Sequence, residues 1–205
     1  MKKGRFIVFE GLDGSGKSTA LEGLVLKMKR QAPEKNIYIT REPSDGEIGR
    51  LIRRALTHEI VLDPKTFTLL FAADRYEHIR GEVIPALERG EDVFCDRYYY
   101  SNLAYQGDVA SMEQILNFNS LARELIRPDL VFYVDTPAEI CMDRIHRGRS
   151  QEELFEQLDK LRNVERLYKQ VFEALKEEEN IVILDGARTP DEIIAEMMQI
   201  LQENS

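Results

Sequence analysis

Five short apolar runs punctuate the chain: Phe6–Phe9, Asn36–Ile39, Val93–Cys95, Leu130–Val134 and Ile181–Leu184. Each is rich in Val, Ile, Phe or Tyr and is bounded by charge, Gly or Pro. Runs with no polar alternation are how strands buried on both faces of a parallel sheet read. The stretches between them carry helix starts. Thr136-Pro137-Ala138-Glu139 and Thr189-Pro190-Asp191-Glu192 each predict an N-cap hydroxyl, a proline at the first helical position and a Glu that answers the orphan amides. Asp63-Pro64 is a similar start, and Ser111-x-x-Gln114 and Ser150-x-x-Glu153 are capping boxes without the proline. After Ser150, the residues Leu154, Leu158, Leu161, Tyr168, Val171 and Leu175 recur at helical steps, which predicts one long amphipathic helix. Strand and helix alternate to the end. The expectation is an α/β fold in a single domain over 1–205: a three-layer, doubly wound, parallel five-stranded sheet with right-handed crossovers.

Composition narrows the classes. The chain has 205 residues, 43% hydrophobic and 32% charged, enough to bury one core and to keep a solvated surface. No apolar run reaches membrane-spanning length, and no long apolar stretch with a small-residue cleavage site follows the basic Met1–Arg5. Two isolated cysteines, Cys95 and Cys141, do not make a disulfide framework, and Cys95 reads as a small buried hydrophobe. These features point to the cytoplasm. A net charge of −9 argues against a nucleic-acid partner, which needs a basic stripe. If the ligands are polyanions, the cations must be clustered locally.

The strongest chemical signal is Gly11-Leu12-Asp13-Gly14-Ser15-Gly16-Lys17-Ser18, followed by Thr19. It meets the pattern G-x-x-x-x-G-K-S/T at every fixed position, with a strand run before it and a helical run from Lys17 to about Arg30 after it. Glycines let successive backbone N–H groups turn inward onto phosphate oxygens, and the helix N-terminus adds partial positive charge. Lys17 offers an ammonium to the β- and γ-phosphates of ATP, and Ser18 a hydroxyl ligand for Mg2+. The loop alone leaves the acceptor open: water, a protein, a nucleoside or a nucleotide.

A second group follows from position. Strand Val93–Cys95 leads into Asp96-Arg97, at the carboxyl end where ligands collect in such sheets. Asp96 is a candidate metal carboxylate and Arg97 a candidate phosphate fork; the alternative is a helix cap with a surface ion pair. Phe67, Phe71, Arg75 and His78 share one helix face. Such a stripe is often core, but an arginine within it needs a partner, since an unpaired buried guanidinium is costly. A planar base stacked on Phe71, with Arg75 donating to its edge, supplies one. Arginine only donates, so it suits the O4 acceptor of thymine or uracil and not the amine of cytosine.

Four strings together resemble the thymidylate kinase family: Phe9–Thr19, Thr40-Arg41-Glu42-Pro43, Leu70-Phe71-Ala72-Ala73-Asp74-Arg75, and Asp96 to Gly107, which reads DRYYYSNLAYQG. They occur in the family's order, and Pro128-Asp129-Leu130 resembles its next strand entry. The resemblance implies a P-loop nucleoside-monophosphate kinase fold and ATP-dependent conversion of dTMP to dTDP for dTTP synthesis, in a homodimer. It implies that Phe71 stacks on thymine, Arg75 contacts its O4 and Asn102 its edge, with Gln106 beside them. Tyr105 crowds the sugar 2′ position, Arg41 and Arg97 bind the acceptor phosphate near Glu42, and Asp13 lies by the 3′-hydroxyl and the metal. The loop Asp185–Arg188 lines the adenine site. Two departures stand out: Ser44-Asp45-Gly46 replaces the family's paired glycines, and Asp13-Gly14-Ser15 carries no arginine.

With only Lys17 in the loop, another cation is expected at the migrating phosphoryl group. Arg144, Arg147 and Arg149 cluster just before the helix capped by Ser150, which predicts a lid around 144–156 with Arg147 and Arg149 as catalytic cations; the alternative is a solvated basic turn. The acceptor phosphate is already anionic, so no attacking base is needed, and His58, His78 and His146 read as structural or surface residues. Three rival functions remain. One is another nucleoside or nucleoside-monophosphate kinase. The second is a nucleotide-dependent switch or assembly protein, against which the absence of an Asn-Lys-x-Asp string counts for the guanine-specific kind. The third is an ATP-driven nucleic-acid motor, against which the acidic net charge and single small domain count.

Overall fold

The apolar runs become strands β1 (Phe6–Gly11), β2 (Ile37–Arg41), β3 (Asp92–Asp96), β4 (Leu130–Asp135) and β5 (Ile181–Asp185). In this computed structural model, which describes residues 3–145 and 151–203, they form a parallel sheet in the order β2-β3-β1-β4-β5. The second strand starts and ends later than its apolar run, because Thr40 and Arg41 continue the ladder beside Cys95 and Asp96.

Side chains alternate across the sheet and build two cores. Phe6, Val8 and Cys95 face one, with Tyr98, Tyr99, Tyr168 and Phe172. Ile7, Phe9, Phe94 and Phe132 face the other, under α1 (Lys17–Gln31) and α10 (Pro190–Glu203). Both faces of β1, β3 and β4 are covered, which is why these strands read as unbroken apolar runs, whereas the edge strands β2 and β5 are only partly buried and leave Ile39 and Ile183 exposed, because nothing pairs beyond them in the sheet. Helix α2 spans Glu47–Leu56. Helix α3 (Pro64–His78) continues through a π-helical turn, Ile79–Val83, into α4 (Ile84–Glu88). On the first face lie α5 (Tyr99–Tyr105), α6 (Met112–Phe118), α7 (Ser120–Leu125), α8 (Ala138–Ile145) and the long α9 (Gln151–Leu175). Along α9, Tyr168, Val171 and Leu175 are buried and Leu158 and Leu161 pack partly against the core.

The predicted caps divide. Asp63 accepts from the backbone N–H groups of Lys65 and Thr66, both at 3.0 Å. Ser111 with Gln114 and Thr189 with Glu192 close reciprocal capping boxes. Thr136 does not cap a helix. Its buried hydroxyl donates to the Ser15 carbonyl at 3.0 Å, and the first amide of α8, on Ala138, is met instead by the Glu165 carboxylate at 3.0 Å. The phosphate loop outcompetes the local cap for that hydroxyl. The Ser150 capping box lies outside the described residues.

In-register pairing gathers the carboxyl ends of three strands. Phe9 lies beside Asp96 and Arg41 beside Asp96. The chain leaves β1 toward β2 on one side of the sheet and β3 toward β4 on the other, so a crevice opens at this edge.

Candidate active site

The loop after β1 is shaped by positive backbone angles. Gly14 has φ +79°, and a Cβ there would lie 2.6 Å from the Cys141 carbonyl oxygen, so only glycine fits. Lys17 opens α1 and is buried; its Nζ lies 3.0 Å from Asp96 Oδ1. The Ser18 hydroxyl donates to Asp96 Oδ2 at 2.8 Å. Strand register thus brings Lys17, Ser18 and Asp96 into one cluster at the mouth of the loop. Arg144 crosses behind it, donating to Ser15 O at 2.9 Å and to Gly186 O at 3.3 Å. A cavity of about 190 Å³ lies between Ser15, Gly16, Thr19, Arg144, Gly186 and Arg188, next to the stretch expected to line the adenine site. Arg147, Arg149 and His146 lie outside the described residues.

A second cavity, of about 180 Å³, opens on the other side of Asp13. Its wall includes Glu42, Phe71, Arg75, Arg97, Asn102, Tyr105 and Gln106, which come from three separate stretches of chain. Phe71 is half-buried, its ring set edge-on to Phe67 at 4.9 Å. Arg41 is not on this wall. It lines a neighbouring cavity with Ser18, Asp96 and Asp45, and pairs with Asp45 at 3.3 Å on the surface.

Arg75 already has, within the protein, the partner that the sequence reading sought in a base. It is 1% exposed; its Nε donates to Glu42 Oε2 at 2.7 Å and its Nη1 to Asn119 Oδ1. The Tyr98 ring lies 5.4 Å from the guanidinium carbon. Glu42 is therefore first an ion-pair partner of Arg75. Its other oxygen faces His78 Nδ1 at 3.4 Å, while His78 Nε2 meets the Thr40 hydroxyl at 2.7 Å. Burial works against the His78 imidazolium, but Glu42, Glu82 and Asp74 outweigh it and raise the ring above 6.5.

Arg97 links the two halves. It holds φ +75°, a left-handed backbone that costs free energy in a non-glycine residue. From there Nη2 reaches Asp13 Oδ1 at 2.8 Å, and Nη1 donates to Ser101 Oγ at 2.8 Å and to the Tyr168 hydroxyl at 3.1 Å. The Tyr105 ring lies 5.0 Å from the guanidinium carbon, and its hydroxyl donates to Asp13 Oδ2 at 3.3 Å. Burial pushes the Asp13 carboxyl up, yet the charges of Arg97 and Lys17 leave it below its ordinary value.

Several residues that hold this arrangement escaped the sequence reading. Glu10, fully buried at the end of β1, accepts from the Tyr98 amide at 2.7 Å, the Ser101 hydroxyl at 2.6 Å and the Tyr168 hydroxyl at 2.8 Å. It caps α5 from a distant strand and anchors Ser101 and Tyr168, the two partners of Arg97 Nη1. Burial raises its carboxyl despite Arg97 and these donors. Asp74 accepts from the amide and hydroxyl of Ser44 at 2.7 and 2.6 Å, fixing the loop after Arg41. The serine that replaces the family's glycine thus has a dedicated acceptor. Acids within apolar stretches were the available signal for Glu10 and Asp74. Nothing in the sequence marked Asn119.

The two thiols, Cys95 and Cys141, are buried and free. Burial pushes Cys141 up to about 12, and Cys95 is raised well above its ordinary value while donating to the Arg97 carbonyl at 3.1 Å. Among the described residues no helix is long and apolar enough to cross a membrane.

Comparison with known proteins agrees with this geometry. The family model described as thymidylate kinase matches residues 9–197. A thymidylate kinase of Leptospira borgpetersenii is 36% identical over 206 aligned positions, covering 100% of this chain and 96% of the relative. A probable thymidylate kinase of Pyrobaculum aerophilum is 38% identical, with 96% of each chain covered. One from Caldicellulosiruptor saccharolyticus is 37% identical across 98% of this chain and 97% of its own. A sheet that sets a phosphate loop against an Arg97-linked cavity, matched along nearly its whole length in sequence, places this chain in the thymidylate kinase family.

Proposed function

We propose that the protein transfers the γ-phosphoryl group of ATP to dTMP, giving dTDP and ADP. The observation that carries this reading is the double attachment of Arg97, which ties the phosphate-loop residue Asp13 to the wall of a base-sized cavity at Ser101 and Tyr105. A fork in that position can hold the acceptor phosphate in line with the donor. An oxygen of the acceptor phosphate attacks the γ-phosphorus, the bond from γ-phosphorus to the β-bridging oxygen breaks, and ADP leaves. Lys17 stays with the migrating group, and the loop amides hold the β-phosphate. Phe71 would stack on the base, Arg75 and Asn102 would read its edge with Gln106 beside them, and Tyr105 would crowd the sugar 2′ position. Arg41 would approach the acceptor phosphate from the neighbouring cavity.

The oxygen donors Ser18 and Asp96, 2.8 Å apart, suit Mg2+, a hard cation that binds oxygen and is shared with substrate phosphates. Held by Ser18 and Asp96, the metal would supply positive charge against the phosphates. Arg147 and Arg149 are proposed as the cations that close over the donor. The soluble nucleotide substrates suit a cytoplasmic site of action, and the net charge of −9 suits a protein without a nucleic-acid partner. Exposed Leu56, Val61, Leu69 and Leu121 favour a homodimer, which light scattering on the purified chain would check.

The test is ADP release with ATP and Mg2+ across dTMP, dUMP, UMP, dCMP and dGMP. Preference for dTMP is expected. Preference for a purine monophosphate or an unphosphorylated nucleoside would replace the acceptor, and slow hydrolysis indifferent to acceptor would favour a switch protein.

A further inference from the structure

We infer that Asn119, remote from the phosphate chemistry, sets which pyrimidine the cavity accepts by locking the orientation of the Asn102 amide. The inference rests on the reading that this cavity holds the base. Asn119 is 1% exposed and sits where α6 gives way to α7. Two neighbours of opposite character decide how its amide lies. Arg75 can only donate, so the Asn119 atom facing Nη1 is the oxygen. The Ile115 carbonyl can only accept, and the Asn119 nitrogen donates to it at 2.7 Å.

The second hydrogen of that nitrogen goes to Asn102 Oδ1 at 3.0 Å. Asn102 is thereby fixed as well, and its own nitrogen donates to Gln106 Oε1 at 3.0 Å. Glu42, Arg75, Asn119, Asn102 and Gln106 form one chain of hydrogen bonds in which each bond has a single sense. The polarity originates at the buried Glu42–Arg75 pair and is passed through Asn119.

The consequence is a fixed pattern on the cavity wall. Arg75 Nη2 makes no hydrogen bond to a described residue and is a donor. Asn102 Oδ1 has a second lone pair and is an acceptor. A 4-oxo pyrimidine offers the complement, an acceptor at O4 beside a donor at N3–H. Cytosine offers the reverse at both atoms. Were the Asn102 amide free to turn, it could present its nitrogen to N3 of cytosine, and half of the discrimination would vanish. Asn119 is therefore a positioning residue for specificity. A site built to pair a polar edge rejects the wrong edge strongly because its buried groups are left unpaired.

The experiment compares kcat/KM for dTMP and dCMP in the wild type, Asn119→Asp and Asn119→Leu, with folding checked by circular dichroism. An aspartate at 119 still pairs with Arg75 but offers only acceptors, so the Asn102 amide must turn. The dTMP-to-dCMP ratio is expected to fall at least about tenfold in Asn119→Asp, and less in Asn119→Leu, where the orientation becomes free. A wild-type preference for dTMP that both folded variants keep within about threefold overturns the role of Asn119 alone. A wild type without that preference overturns the proposed function and this inference with it. Should the variants not fold, the wild type decides in 1H–15N spectra. Both side-chain amide protons of Asn119 are expected to exchange slowly with water in the nucleotide-free enzyme, and fast exchange of either overturns the relay.

Discussion

The two halves of the cleft are built by different means. On the donor side, a single stretch of backbone from Gly11 to Ser18 makes the cradle: Asp96 meets Lys17 and Ser18, Arg97 meets Asp13, and Arg144 and Thr136 hold the Ser15 carbonyl. On the acceptor side, the wall is made of side chains from three stretches, and its polar members are held by other buried polar groups: Arg75 by Glu42, Asn102 by Asn119, and Ser101 by Glu10. A backbone cradle needs few side-chain partners, because its own N–H groups are the binding atoms. A polar wall in a dry interior is stable only if every member is satisfied. Donor-side lesions should therefore cost turnover and spare the fold, whereas acceptor-side lesions should cost both.

The largest expected effect tests the first half of that contrast. Lys17→Ala should lower kcat by about 10³-fold, as loss of a preorganised charge at a transferring group does, while the urea midpoint stays close to wild type. A large loss of stability would break the contrast. Next, Arg75→Met should destabilise the protein by roughly 3–5 kcal/mol, because it strands the buried Glu42 carboxylate. The double variant with Glu42→Leu should recover much of that loss in urea denaturation. Equal losses in single and double variants would show that the ion pair is not the source.

A smaller effect concerns the cations proposed to close over the donor. Arg147→Ala or Arg149→Ala should lower kcat by at least about tenfold with little change in stability. Unchanged turnover in both single variants and the double would remove the lid from the mechanism. The smallest effect sharpens the acceptor side. His78 is raised above 6.5 in the folded state by its acidic surroundings, so the stability it adds is complete below about pH 6.5 and fades as pH rises through the folded value. The gap in thermal midpoint between wild type and His78→Gln should be widest at low pH and narrow toward alkaline pH. A gap constant with pH would show that His78 acts by packing alone.

The same contrast governs how much could be read in advance. The phosphate loop was legible because its chemistry is local: glycine freedom, a lysine and a hydroxyl at fixed spacing, with a strand before and a helix after. Asp96 was legible through a general rule about strand ends, and in-register pairing put it where that rule says. Phe71 was reached from the stripe on one helix face and Asn102 through family resemblance, and the structure sets both on one cavity wall. The pairing of Arg75 was misread, since its partner Glu42 lies 33 positions away and Asn119 lies 44 away in the other direction. The Thr136 cap failed for the same reason, its hydroxyl being taken by Ser15 across 121 positions.

What the sequence settled by itself was the five strands, the helices between them and the glycine loop after the first strand, because each follows from patterns spanning a few residues: unbroken apolar runs, helix starts, and glycines at set intervals. What tertiary structure alone decided was how the acceptor wall is wired. Glu10 meets the Tyr98 amide across 88 positions, and Asn119 meets Asn102 across 17 in a direction fixed by a third residue. A buried hydrogen bond is chosen by what lies within about 3 Å in space. Spacing along the chain carries that information only where neighbours in space are also neighbours in sequence.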